Sequence, residues 1–374
     1  MVGAAVTALF VGLGPAGALG VGRFAYALVL PDMLSALDLG VKQAGFLGSA
    51  NTGGYLLGAF VSHRVLGALG YRRGFYLAAF LQCLTLLLLV TAPPFWLMAA
   101  LRLAQGVLGG FVFVGGAALI MAAGGRALGL GLYFGGVGLG IVISTAVLPL
   151  AGDWRTAWMW LGVLGLVLAI AALAAWPRLV EPAPPATGAE GSIVAIWPAL
   201  LSYGLYGAGY IAYMTFVTSH LSVATGPFWV VLGAGAMLNG PLWGPLTSRL
   251  HGSLAHVVVL LVLTAASLPP LVAAAPFVSA LFFGLSFLGV ITAITELIRE
   301  RLPVGAWPRA VALSTAAFAV GQAVGPALAG AVGEALGGTA GEVRVALYSG
   351  SVLLFAALVV AAVAAINRPP SRGA

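Results

Sequence analysis

Residues 20–26 read GVGRFAY, and residues 207–213 read GAGYIAY. Both fit G-x-G-[RY]-x-A-Y at an offset of 187, and the same offset aligns Gly48 with Gly235, Gly53 with Gly240, and Val137-Gly138 with Val324-Gly325. The isolated glycines are weak matches in so Gly-rich a chain; the seven-residue match carries the repeat. Around these pairs the chain is almost without charge. Of 374 residues, 61% are hydrophobic and 7% are charged, where a soluble domain carries about 25% charged residues. Too little polar surface exists to cover such a chain in water. A soluble enzyme, a nucleic-acid module and a disordered chain are therefore excluded. The 54 Gly and 21 Pro suit membrane helices, where both are more frequent than in soluble ones.

A spanning helix needs about 20 mostly apolar residues. Twelve stretches qualify, at roughly 5–30, 44–66, 74–92, 95–123, 128–150, 155–176, 195–220, 227–250, 255–274, 277–300, 309–336 and 344–366. Between the sixth and seventh lies PRLVEPAPPATGAEGS, 177–192, which reads as a Pro-rich, structureless linker. The expected fold is an all-α polytopic membrane protein. It has 12 transmembrane helices in two pseudo-symmetric six-helix bundles, 1–176 and 195–374, joined by a cytoplasmic linker over 177–194. Six spans per half send both halves into the membrane in the same direction, a parallel repeat about the membrane normal. The N-terminus runs straight into an apolar stretch and reads as a first span, not a cleaved signal.

With a cytoplasmic N-terminus, eleven arginines fall on inner loops, among them Arg64, Arg72, Arg73 and Arg126, and only Lys42, Arg155 and Arg344 fall outside. This positive-inside bias places both termini in the cytoplasm and the chain in the inner (plasma) membrane. The +7 net charge is thus topological and indicates no nucleic-acid partner. The lone Cys83 excludes an intrachain disulfide and any multi-cysteine metal site. No Walker loop, H-E-x-x-H or metal-ligand spacing is present. No cofactor, metal or enzyme activity is expected. His63, His220, His251 and His256 fall at span ends or loops and are expected to be solvated.

Arg23 stands about 18 residues into the first span. An Arg at a membrane helix centre costs about 2.5–3.5 kcal/mol on insertion scales, so something must offset it. Either Arg23 faces a central cavity and pairs with an anionic solute, or it bonds to Asp32 or backbone carbonyls, or it snorkels outward. Gly20 and Gly22 let the helix unwind or approach a neighbour there. Arg102 is a second buried cation, read as structural or gating, with Gln105 beside it. Asp32, Asp38 and Asp153 all lie near the outer face, so the first half offers neither cation a membrane acid. That favours an anionic cargo. Glu296, in TELIRER, sits near the end of its span, where Arg299 can pair with it; proton coupling is the other reading of this carboxylate. Polar and aromatic candidates for a solute site are Tyr26, Asn51, Tyr55 and Tyr133 in the first half, and Tyr206, Tyr210, Tyr213, Asn239, Trp243 and Gln322 in the second. By the repeat, Tyr210 stands where Arg23 does and Tyr213 where Tyr26 does. Helix packing is an equal reading for any one of them. G-x-x-x-G spacings at Gly54/Gly58, Gly106/Gly110, Gly136/Gly140 and Gly240/Gly244 read as close helix contacts.

Six spans, a linker and six spans resembles the major facilitator superfamily. Arg102-Leu-Ala-Gln105-Gly106 with Gly109-Gly110 is similar to its fourth-helix motif. The stretch from Gly58 through His63-Arg64 to Gly70-Tyr-Arg72-Arg73-Gly74 is similar to its 2–3 loop motif, with Arg64 at the gate. Here the loop lacks the family's Asp, and Ser62 or His63 stands near its place; the relay that latches the two halves lacks its acid. Gly321-Gln-Ala-Val-Gly325-Pro326 resembles the glycine-proline motif usual in span 5. Gly22-Arg23-Phe24-Ala25-Tyr26, Ala50-Asn51 with Gly54-Tyr55, and Gly321-Gln322 resemble the bacterial YbfB/YjiJ-like branch over most of the chain. The resemblance implies a monomeric transporter working by alternating access, with spans 1, 4, 7 and 10 lining a cavity, aided by 2, 5, 8 and 11. A small organic anion is the expected cargo. Efflux of amphipathic drugs or metabolites, and a non-transport scaffold on the same fold, are the alternatives. A coupling proton or a counter-solute are the expected further partners besides the bilayer; uniport stays open.

Overall fold

The computed structural model describes residues 2–39, 41–124, 127–182, 196–221, 223–303, 306–336 and 338–366. Among them every regular element is helical. α1 (Val2–Pro15) passes into a nine-residue π-helical segment, Ala16–Phe24, and then α2 (Tyr26–Leu37). Ala25 N–H donates to Gly20 O at 3.2 Å, a bond spanning five residues. α3 (Val41–Leu69), α4 (Tyr71–Leu89), α5 (Phe95–Ala122), α6 (Ala127–Val147) and α7 (Trp154–Ala172) follow. After Arg178 come α8 (Trp197–Phe216), α9 (Thr225–Met237), α10 (Asn239–Leu250) and α11 (Gly252–Ser267). The chain ends in α12 (Pro269–Ala274), α13 (Pro276–Phe287), α14 (Gly289–Arg301), α15 (Trp307–Leu336) and α16 (Gly338–Ile366).

Helix therefore occupies each of the twelve expected stretches, but eight candidates among the described residues are long and apolar enough to cross a membrane: Gly3–Leu30, Tyr71–Leu89, Phe95–Ala122, Leu128–Leu150, Trp154–Arg178, Pro276–Arg301, Leu313–Leu336 and Arg344–Ile366. The other four fall short for visible reasons. α3 is diluted by Gln43, Ser49, Asn51 and Thr52, and α8 by its four tyrosines and three glycines. α11 has 16 residues. The eighth stretch is split at Leu238, because Pro241 has no N–H to return to Met237 and its ring crowds that carbonyl.

Two compact units result: Met1–Pro184 with Ser222–Gly244, and Pro185–Leu221 with Pro245–Ala374. In the first, the glycine spacings let backbones touch. A Cβ on Gly54 or Gly58 would overlap the carbonyls of Leu103 or Val107, and one on Gly106 would overlap that of Asn51, so α3 and α5 lie face to face. Gly136 and Gly140 of α6 meet the carbonyls of Gly12 and Ala16 in the same way. α9 joins this unit through Gly233, whose Cβ would lie 2.9 Å from Gly138 O on α6. In the second unit Gly321 and Gly325 of α15 abut the carbonyls of Gly204 and Ala208 on α8.

The expected linker is structured where it is described. Trp176, Pro177 and Arg178 close a 3₁₀ turn, and Glu181 then reaches the start of α4. Tyr71 N–H donates to its Oε2 at 2.8 Å and Arg72 N–H to its Oε1 at 3.2 Å. Gly70, at φ 83°, makes the turn that presents these groups. Thus 177–182 is a strap, not loose chain; a carboxylate is drawn to bare helix-start N–H groups. The rest of the linker, with Arg126, Arg368 and Arg372 of the topology argument, lies outside the described residues.

Candidate solute-binding site

The π segment carries Arg23 in its last turn. Pro15 ends α1 without an N–H to donate, and Gly20 and Gly22 remove the side chains that would keep neighbours away. A Cβ on Gly20 would sit 2.8 Å from the Gly140 carbonyl carbon on α6, and one on Gly22 would sit 2.8 Å from Gln105 Nε2 on α5. π turns of this kind cluster at functional sites. Arg23 is 9% exposed. It makes no hydrogen bond or ion pair among the described residues, and its Nη2 is buried without a partner. Its guanidinium lies 5.3 Å from the Tyr55 ring centre and 5.7 Å from that of Phe24. The alternatives of an Asp32 partner, a backbone bond and outward snorkelling all fail here.

Arg102, 2% exposed, differs. Its Nη1 donates to Gly22 O at 2.8 Å and to Gln105 Oε1 at 2.5 Å. The guanidinium lies 4.4 Å over the Tyr26 ring and 5.8 Å from that of Trp158. Asn51 Nδ2 donates to Arg102 O at 3.2 Å and to Gln105 Oε1 at 3.3 Å. Asn51, Gln105, Arg102 and Tyr26 are thus one knot that holds the π segment onto α5. Neither cation meets an acid among the described residues; Arg102 differs in that its Nη1 is taken, although its Nε is also buried without a partner there. Arg102 is offset by carbonyl, amide and aromatic faces in place of an acid. Trp158, which pairs with Met33 Sδ through its indole N–H at 3.2 Å, is the member of this knot that sequence reasoning missed.

In the second unit the 3-4-3 spacing of Tyr203, Tyr206, Tyr210 and Tyr213 puts all four on one face of α8. Phe318 of α15 stacks on the first three at 5.0, 5.4 and 5.7 Å. Phe287 of α13 stacks on Tyr210 at 6.0 Å and Phe283 on Tyr213 at 4.0 Å. The hydroxyls are engaged. Tyr206 donates to Phe287 O, where α13 stops and α14 begins. Tyr213 bonds Ser279 Oγ at 2.7 Å, and Ser279 donates on to Ala266 O. Gln322 Nε2 donates to the Tyr210 hydroxyl, while Gln322 Oε1 is buried without a partner among the described residues. The three phenylalanines carried no sequence signal beyond apolarity.

The remaining candidates are placed as follows. Tyr133 is fully buried between α6 and α5 and donates to Val112 O and Phe113 O at 2.8 and 3.0 Å, a packing role. Asn239 and Trp243 are buried in the first unit, at the start of α10. Glu296 pairs with Arg299 at 3.6 Å on a half-exposed helix end. Arg64 is exposed near the end of α3. His256 corrects the expectation of a solvated ring: it is 1% exposed and lies 3.0 Å from Ser202 Oγ. The helix begins at Gly252 and not at 255, so His256 is one turn inside it and not at its end.

Residues 16–361 match the family model described as the uncharacterised MFS-type transporter YbfB. No curated protein matches. Among solved structures, that of the human organic anion transporter MFSD10 (TETRAN) is similar, with a TM-score of 0.66 over 96% of this chain and 99% of that one. At 15% identity that likeness speaks to the fold alone. The family is one of transporters and not of enzymes, and its model runs from the π segment to the last turns of α16: the chain belongs to the YbfB-like family of the major facilitator superfamily.

Proposed function

We propose that the chain is a secondary active transporter of a small organic anion in the plasma membrane. It works by alternating access, two six-helix halves with twelve crossings rocking about a midplane site. Both termini and the linker lie on the cytoplasmic face. The observation that carries this reading is Arg23: a buried guanidinium whose Nη2 has no partner among the described residues, in a unit whose described acids, Asp32, Asp38, Asp153 and Glu181, are all exposed. A cation left so is costly, and a solute carboxylate would offset it through the planar fork. Because Arg102 is committed to Gly22 and Gln105, one guanidinium is available, which favours a monoanion. Tyr26, Tyr55 and Phe24 supply an aromatic wall for its apolar body. Tyr206, Tyr210, Tyr213 and Gln322 of the second unit, and Asn239 and Trp243 of the first, are the further proposed solute contacts.

The test is counterflow in proteoliposomes with matched panels of monocarboxylates, dicarboxylates and neutral analogues. Monocarboxylates should exchange. Arg23→Gln should cut exchange roughly ten-fold or more, and Arg23→Lys should fall between, since a charge-assisted bond contributes about 1.5–3 kcal/mol. Unchanged exchange in Arg23→Gln would remove the anion-binding role. An imposed pH gradient separates proton coupling from exchange with a counter-solute.

A further inference from the structure

We propose that Gln105 reads a second oxygen on the solute, so that the transported anion is a monocarboxylate bearing a hydroxyl or carbonyl oxygen close to its carboxylate. The inference rests on the anion-binding reading of Arg23 and deepens it. Gln105 is 1% exposed. Its neighbours fix which way round the amide lies. Oε1 accepts from Arg102 Nη1 at 2.5 Å and from Asn51 Nδ2 at 3.3 Å. Asn51 is itself fixed, because Nδ2 also donates to Arg102 O at 3.2 Å. Turning the Gln105 amide over would set its NH₂ group against two other N–H donors. Nε2 is therefore held on the far side of the knot, and it is buried without a partner among the described residues. A buried donor so placed calls for an acceptor.

Nε2 lies beside the residue that precedes Arg23: a Cβ on Gly22 would sit 2.8 Å from it. The Arg23 guanidinium lies 5.3 Å from the Tyr55 ring centre. Tyr55 stands one turn beyond Asn51 on α3, and Asn51 is the residue whose amide bonds Gln105. The two buried donors, Arg23 Nη2 and Gln105 Nε2, thus belong to side chains that meet α3 one turn apart, a rise of about 6 Å. Their chemistry assigns their acceptors. A guanidinium fork takes both oxygens of a carboxylate, which leaves the amide in need of a different oxygen. An amide N–H is a neutral donor and suits a hydroxyl or a carbonyl. One charged and one neutral donor in this arrangement match an acid whose further oxygen lies within a few bonds of its carboxylate. Gln105 then serves Arg102 with one end of its amide and the solute with the other. A plain clasp needs Oε1 alone.

The experiment uses the full chain. Lactate and pyruvate are compared with propionate, and 3-hydroxybutyrate with butyrate, as competitors in counterflow and as ligands in thermal unfolding, which needs no transport. In the wild type at least one oxygenated acid should bind roughly ten-fold tighter than its parent. Gln105→Met, which keeps the length of the side chain and loses the amide, should abolish that advantage. Should it fail to fold, Gln105→Asn, which draws the amide back by a methylene, takes its place. A residue that only steadies Arg102 would weaken parent and oxygenated acid alike. An advantage that persists in the folded variant therefore overturns the proposal, and so does a wild type that binds no oxygenated acid better than its parent. Arg23→Gln separates this inference from the reading beneath it. If that variant weakens every acid while the wild type shows no advantage for the oxygenated ones, Gln105 alone loses its role. If it weakens none, the anion-binding reading fails and this proposal with it.

Discussion

Arg102 Nη1 donates to the carbonyl of Gly22 at 2.8 Å, so the cation of α5 grips the backbone immediately before Arg23. The two arginines of the first unit are not equivalent. One is a clasp, and the other is what the clasp presents. Arg102→Lys keeps the charge but loses the guanidinium whose Nη1 reaches Gly22 O and Gln105 Oε1 while its carbon lies over the Tyr26 ring. The expected outcome is a rise of roughly ten-fold in the KM for the transported anion with a folded protein. Counterflow kinetics check it; a wild-type KM would show that Arg23 needs no clasp.

Gly106 lets α5 lie on α3. A methyl there would overlap the Asn51 carbonyl, whereas Gly109 has nothing within 4 Å of its would-be Cβ. Gly106→Ala should destabilise by about 1–3 kcal/mol through forced separation of the helices, and Gly109→Ala should be near neutral. Thermal unfolding in one detergent compares the pair.

Tyr206→Phe keeps the aromatic stack on Phe318 but leaves the Phe287 carbonyl without that donor at the α13–α14 break. A buried acceptor left unsatisfied costs about 1–3 kcal/mol. The loss should appear in thermal unfolding, and Tyr206→Leu should cost more because the stack goes too.

Glu181→Ala removes the acceptor for the Tyr71 and Arg72 N–H groups. As an N-terminal cap its loss should cost about 0.5–2 kcal/mol. Proteolysis is the sharper readout: the chain beyond Arg178 should be cut faster in the variant. Equal cleavage rates would mean the strap is not held by this carboxylate.

Asp153 accepts from Thr156 N–H at 2.7 Å and caps α7. The hydrogen bonds from Thr156, and then nearby Arg155, hold its carboxyl below the usual range. A depressed folded-state pKa contributes stability that is present above the unfolded pKa and lost as pH falls through the folded one. Asp153→Ala should therefore lower the unfolding temperature at pH 7 and approach the wild type in acid. A gap between the two that does not narrow with falling pH would contradict the cap.

Much of the fold was legible because composition and period are local quantities. The apolar runs announced helices in lipid, and the glycine spacings announced close backbone contacts before any coordinate was known. Where reading failed, the missing information was the partner. His256 reads as a solvated residue at a span end, because its burial beside Ser202, 54 positions away, is not visible along the chain. The start of the linker looked loose because Glu181 meets Tyr71 across 110 positions. Phe283, Phe287 and Phe318 were indistinguishable from any core phenylalanine until α8 presented its tyrosines to them.

The sequence by itself determined the solvent, the helical class and the fact that Arg23 is a charge in an apolar stretch; each follows from residue type and spacing along the chain. Only the tertiary structure decided which cation is available. Arg102 Nη1 is engaged because Gly22 and Gln105 converge on it beneath the Tyr26 ring, three residues on three different elements. Hydrogen bonds are directional and short in range, so their partners are set by how helices pack and not by how residues are ordered.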